Sequence, residues 1–178
     1  MEKFLTVHPE WKTYAEDIQI PAGAAVPPDM RETLQGRKVT GYNKGFVTLV
    51  NPVDYNDVLE LWNLPPKQCF PFLKFAFGQL IFFHDTKFRI MDPVINVVEI
   101  IGDDDDFNYI MNDLVIDEGM LIDNLLMDLY QQTVDTLGAP ELDECYAFVP
   151  ALAMGGDKDI NNIQRVKYKE QLIILSQL

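Results

Sequence analysis

Apolar positions recur along this chain in more than one rhythm, and each rhythm predicts its own element. From Phe72 to Ile101 aromatic and β-branched residues dominate, and Phe75 to Phe83, Lys87 to Met91 and Val94 to Ile101 predict three strands. His84-Asp85-Thr86 makes a tight connection and Asp92-Pro93 a second, so an antiparallel meander is the economical topology. Gly78 interrupts the first run, where a bulge or a close backbone approach is expected. Gly102 is expected to end the sheet. Beyond it Phe107, Ile110, Met111 and Leu114 carry the i, i+3, i+4, i+7 stripe of a helix with one buried face. A second helix is predicted from Met120 to Leu137, burying Ile122, Leu125, Leu126, Leu129 and Leu137 while Asp123, Asp128 and Asp135 point outward. Gly138 supplies its stop.

The flanking segments read more simply. Pro9, Pro21, Pro27 and Pro28, with Gly23 and Gly36, predict an irregular first forty residues with one helical stretch around Met30 to Leu34. Gly45 to Val50 predicts a strand, and Val53 to Trp62 a short amphipathic helix that Pro65-Pro66 terminates. Cys145 to Val149 reads as a strand, Gly155-Gly156 as a turn and Tyr168 to Ser176 as a last helix. The fold class is therefore α+β: a central antiparallel sheet flanked by helices, with two small segments packed as one unit.

A length of 178 residues, 48% of them hydrophobic, allows one domain or two small ones sharing an interface. The N-terminus lacks the apolar run of a secretory signal, and no window approaches the roughly 20 apolar residues needed to cross a bilayer. A cytoplasmic protein without membrane contact is expected. Cys69 and Cys145 stand far apart without a partner motif, so two buried, reduced thiols are expected rather than a disulfide or a zinc site.

Charge changes the picture most. Between Arg89 and Lys158 there is no lysine or arginine, while sixteen Asp and Glu residues fall in that stretch. The segment carries -16 and the rest of the chain +2, which together make the net charge of -14. A concentrated negative field repels nucleic acid and anionic membrane and speeds encounter with a basic protein. The candidate partner-binding residues are Asp103, Asp104, Asp105 and Asp106, with Asp117 and Glu118. The competing reading makes Asp103 to Asp106 a solvated turn whose carboxylates cap a helix. Consecutive Asp residues after Gly102 lack the alternating ligands, central Gly and distal Glu of a calcium loop. Neither His8 nor His84 has a convincing Cys, Ser or metal-ligand neighbour, so no catalytic constellation, cofactor or metal is expected. Glu144 and Tyr146 are expected to stabilise the fold around the Gly155-Gly156 turn, whose glycines answer a need for positive φ.

Two groups of residues carry a resemblance. Leu137-Gly138-Ala139-Pro140, then Glu144 through Val149-Pro150-Ala151-Leu152-Ala153-Met154-Gly155-Gly156, Gln164 to Lys167 and the ending from Gln171 to Leu178 resemble the C-terminal domain of bacterial type VI secretion immunity proteins that protect against DNase effectors. Upstream, Val50-Asn51-Pro52-Val53-Asp54-Tyr55 with Leu59 and Trp62 is similar to the GAD-like domain that precedes it in that family, although the chain departs from the pattern before Asn51. The resemblance implies a GAD-like domain over residues 1–100 and an immunity domain over 101–178. It also implies a non-enzymatic antitoxin that binds a cognate nuclease in the producing cell and its sisters. The charge agrees in direction, since nucleases need positive charge to hold phosphate backbones. The alternative is a non-catalytic adaptor or regulatory binding module outside toxin systems.

Overall fold

The computed structural model describes residues 1–178. Seven antiparallel strands lie in chain order, β1 (Glu10–Asp17), β2 (Lys38–Tyr42), β3 (Val47–Leu49), β4 (Phe70–Phe75), β5 (Leu80–His84), β6 (Lys87–Asp92) and β7 (Val97–Asp103). The expected meander is there, and it is longer than the apolar runs suggested. β1 is a polar strand at the sheet edge with alternate residues exposed, and β2 follows it within the stretch expected to be irregular. An edge strand has one face and one side in water, so its sequence carries little apolar signal.

Alternation along the inner strands assigns the two faces. Ile81, Phe83, Phe88 and Ile90 point into a core of 33 residues with Phe4 of α1 (Glu2–Val7), Met30 and Leu34 of α2 (Pro28–Leu34), and the apolar side of the chain beyond β7. Leu80, Phe82 and Met91 point the other way. They meet Val58 and Leu59 of α3 (Asn56–Leu61) in a second core. With both faces covered, Phe70 to Phe83 lacks a polar alternation, and its two polar side chains, Lys74 and Gln79, are themselves buried, so Gly78 alone hints at a turn. The run expected as one strand from Phe75 to Phe83 is in fact the end of β4, a turn and β5. Gly78 sits in that turn at φ +92°, where an added Cβ would come within 3.1 Å of Pro93 and 3.3 Å of Tyr168, so the expected close backbone approach is present. Between β5 and β6 the two-residue turn uses Asp85 and Thr86, both left-handed, which suits a tight hairpin.

The sheet does not stop at Gly102: β7 runs on to Asp103, which pairs with Lys87 of β6. α4 (Phe107–Asn112) buries Phe107, Ile110 and Met111 as its stripe predicted. The expected second helix is broken. A single π turn spans Met120–Asn124, Leu126 takes a left-handed conformation (φ 59°), and α5 (Met127–Leu137) starts again after it. At the break Leu125 and Leu126 both enter the large core. Gln79 Nε2 donates to the Asn124 carbonyl at 3.0 Å, satisfying a group at the break. Ile122 is consequently 40% exposed instead of buried, whereas Asp123, Asp128 and Asp135 do face solvent. Gly138 ends α5 at φ 73°.

The chain closes with a two-stranded sheet, β8 (Glu144–Phe148) and β9 (Ile163–Lys167), and with α6 (Tyr168–Leu175). These elements hang on the β4–β5 turn. The Tyr146 amide donates to the Ala76 carbonyl at 2.7 Å and the Tyr168 hydroxyl to the Gly78 carbonyl at 3.1 Å. Tyr146, Phe148 and Ile163 enter the large core, and Tyr168 and Leu172 the smaller one, so the closing elements pack into both.

Candidate protein-binding face and central groove

Folding neutralises part of the acidic stretch with bases brought from elsewhere in the chain. Asp103 pairs with Lys87, Asp113 with Lys3 at 2.6 Å, Asp135 with Lys44 at 3.6 Å and Glu141 with Lys12 at 2.5 Å. Asp143 pairs with Lys167 at 2.7 Å, and Glu144 with Arg165 at 3.5 Å. These contacts are invisible in a linear count of charge.

Of the six candidate residues, Asp103 alone has an ion pair. Asp106 is the N-cap of α4 but makes no capping bond; its carboxylate turns back and accepts the Asp103 amide at 2.8 Å. The helix-cap reading therefore fails in its detail, because this carboxylate closes the turn. Asp104 and Asp105 are exposed between them. Asp117 and Glu118 lie after α4, where Asp117 accepts the Met120 amide at 3.0 Å and Glu118 is exposed. Asp104, Asp105, Asp106, Asp117 and Glu118 thus have no basic partner within the chain.

A groove of about 1130 Å³ opens between the two motif-bearing segments. Asn51, Asp54 and Asp57 come to it from the 3-10 turn Pro52–Tyr55 and its neighbours, Asp143 from the α5–β8 connection, and Lys167 and Lys169 from the β9–α6 junction. Underneath, the rings of Tyr55 and Tyr168 meet edge to face with centroids 5.9 Å apart. Ion pairs Lys12–Glu141 and Asp57–Lys169 (2.7 Å) tie the segments together at the surface. Asn51 bridges inward, accepting the Gln19 amide at 3.0 Å and donating to Glu16 at 2.5 Å. Burial, reinforced by the neighbouring Glu16 carboxylate, pushes Asp54 up to about 6.

Lys74 is the functional-looking residue that sequence reasoning passed over. It is fully buried, donates to the carbonyls of Leu142 at 2.5 Å and Glu144 at 3.0 Å, and burial lowers its pKa to about 8. A lone lysine inside Phe70-Pro71-Phe72-Leu73-Lys74-Phe75 was the available signal, since lysine is almost never fully buried without a specific partner. Asp92 is a second such group: it is buried, its carboxylate accepts the Val94 amide at 2.9 Å, and burial raises it to about 6.

The remaining polar candidates are held by the fold. His8 is buried beside Phe4 and Phe46, with Nε2 3.0 Å from the Val115 carbonyl, and burial lowers its pKa. His84 Nδ1 lies 3.2 Å from the Gln68 carbonyl. Cys69 and Cys145 are free and buried, and burial pushes their thiols up to about 11 and about 12. No three His, Cys, Asp or Glu side chains are arranged to hold a metal ion, and no helix is long and apolar enough to cross a membrane.

Glu144 and Tyr146 serve a different turn from the one expected. Tyr146 donates to the Gly138 carbonyl at 2.8 Å and Glu144 accepts the Glu141 amide at 3.1 Å, so both shape the α5–β8 connection. Of the glycine pair, only Gly155 has positive φ (84°). Gly156 is required for space: a Cβ there would collide with the Pro150 carbonyl.

Residues 106–178 match the family model described as T6SS immunity protein Tdi1, C-terminal. The matched span begins at the N-cap of α4 and takes in α5, β8, β9 and α6. This part of the chain is similar to type VI secretion immunity proteins. The fold of the chain as a whole is similar to the crystal structure of Atu4351 from Agrobacterium tumefaciens, with a TM-score of 0.76 at 18% identity over 99% of this chain and 88% of that one. No curated protein matches the chain.

Proposed function

We propose that this chain is a type VI secretion immunity protein that binds and neutralises a cognate DNase effector in the cytoplasm of the producing cell and its sisters. The match over residues 106–178 carries the reading. In it, residues 1–100 form a GAD-like domain and 101–178 the immunity domain, and the protein acts as a stoichiometric binder with no catalytic or cofactor-dependent step. The unpaired Asp104, Asp105, Asp106, Asp117 and Glu118 support a basic partner, and Asp103 stands beside them. Charges at the rim of an interface mainly set association rate and salt dependence, so these residues steer the nuclease and buried contacts supply the affinity.

Co-expression with the effector encoded beside this chain tests the proposal. Growth is restored, the two proteins co-purify, and plasmid cleavage by the effector stops at equimolar chain. An active neighbouring nuclease that kills and cleaves equally well with and without this protein overturns it.

A further inference from the structure

The central sheet has two free edges, and they are not alike. Register shifts interrupt β1 between Glu10 and Lys12 and again between Thr13 and Asp17, and its Lys12 is tied down to Glu141. Bulges and lysines are the usual means of keeping an edge from pairing with another chain. β7 has no lysine and no proline, and from Val97 to Ile100 it runs in regular register against Asp92 to Arg89 of β6. Its one irregularity lies farther on, opposite Phe88 and Arg89. β6 is its only neighbour in the sheet, and no other hydrogen bond in the chain reaches the backbone of Val97 to Gly102. Apolar side chains stand in water along this edge, Ile100 at 58% and Ile95, just before the strand, at 59% exposure.

We propose that the outer edge of β7 is a strand-addition site that takes an extended, basic segment of the partner protein. The proposal rests on the immunity reading above and names the contact through which binding acquires its affinity. Main-chain hydrogen bonds along an added strand supply that affinity, and the side chains beside it supply selectivity. Charge selects the occupant. Glu99 is exposed on the strand, and β7 leads directly into Asp103, Asp104, Asp105 and Asp106, while the nearest bases on β6 are Lys87, paired with Asp103, and the half-buried Arg89. A second copy carries the same net charge of -14 and is repelled as a whole, and antiparallel pairing centred on Glu99 would set that carboxylate against its counterpart, where like charges are destabilising. A segment carrying lysine or arginine meets the acidic turn and the exposed isoleucines together.

Hydrogen exchange on the wild-type chain, alone and with the purified effector encoded beside it, reads the edge directly. A double variant, Glu99→Lys with Ile100→Lys, tests it independently, because both side chains are exposed and the thermal midpoint is expected to hold. In the complex, the outward amides within Val97 to Gly102 exchange at least about tenfold more slowly, and the double variant loses roughly tenfold or more in affinity. A complex that forms with these amides unchanged, or a folded double variant that binds as tightly as wild type, overturns the edge site and leaves the immunity reading standing. Protection that rises with the concentration of this chain alone assigns the edge to a second copy and also overturns it. A wild-type chain that does not bind the effector at all overturns the immunity reading and the edge site with it.

Discussion

The Lys74 ammonium lies 4.9 Å from the centre of the Tyr168 ring, in a site closed to water, and so joins a strand of the central sheet to the first residue of the last helix. No carboxylate pairs with it directly, although the charges of Asp143 and Glu144 act on it from farther away. Two main-chain carbonyls, those of Leu142 and Glu144, and the aromatic face take the place of a counterion. A buried cation satisfied in this way specifies one arrangement of the two segments, since any other docking leaves it unsolvated.

Replacing Lys74 by Met keeps the stem but strands both carbonyls, and the expected loss of stability is about 2 to 4 kcal/mol. The pH dependence has a definite sign. With its folded pKa lowered to about 8, Lys74 sheds its proton in the native state before the unfolded chain does. The advantage of wild type over Lys74→Met therefore grows as pH rises from about 8 to about 10.4. Urea titrations of both proteins across that window check it; a constant difference contradicts the buried-cation account.

Asp54 and His8 act on the acidic side in opposite senses. Asp54, raised to about 6, binds its proton more tightly when folded, so its contribution improves as pH falls from about 6 toward 4 and is unfavourable near neutrality. His8, with its pKa lowered by burial, favours folding above about 6.5 and loses that contribution as the unfolded state protonates below it. Asp54→Asn is expected to raise stability near pH 7 by less than about 1 kcal/mol after allowance for solvent screening. The gain should shrink on acidification. Denaturant midpoints of the variant and wild type at about pH 7 and about pH 5 decide the matter.

Screening separates steering from ornament at the acidic turn. Replacing Asp103 to Asp106 by asparagine is expected to slow association with the effector severalfold at low salt and to change it little once the Debye length falls well below about 10 Å. Asp104→Asn with Asp105→Asn should slow association in the same direction but by less, because Asp106, whose carboxylate only accepts the Asp103 amide, still contributes its charge to the field. Stopped-flow rates over a salt series check this. Identical rates at every ionic strength would reduce the turn to a solvated connection.

Gly156 offers a test of a purely steric requirement. An alanine Cβ there would collide with the Pro150 carbonyl and lie 3.0 Å from the Ala151 oxygen, both main-chain atoms that cannot swing aside. Gly156→Ala should cost about 2 kcal/mol or more, whereas Gly23→Ala, with nothing within 4 Å of its Cβ, should be nearly neutral. Thermal midpoints of the two variants provide the comparison.

What the chain spells out locally, the sequence by itself determined. The α4 stripe Phe107, Ile110 and Met111, the Gly138 stop, the Asp85-Thr86 hairpin and the final helix were legible because each depends on the φ/ψ preferences and periodicity of neighbouring residues. The later strands of the antiparallel meander were legible for the same reason, and the immunity resemblance was carried by short runs of residues between Leu137 and Leu178. Tertiary structure decided the rest. The turn inside Phe70 to Phe83 is hidden because both faces of those strands are buried, and the break at Leu126 falls where Gln79, distant in sequence, takes up the Asn124 carbonyl. Which carboxylates stay unpaired depends on lysines and arginines distant in sequence from them, from Lys3 on Asp113 to Lys12 on Glu141. The groove, the Lys74 site and the open edge of β7 share that origin: each is made by segments that meet only when the chain is folded, and no local preference encodes such a meeting.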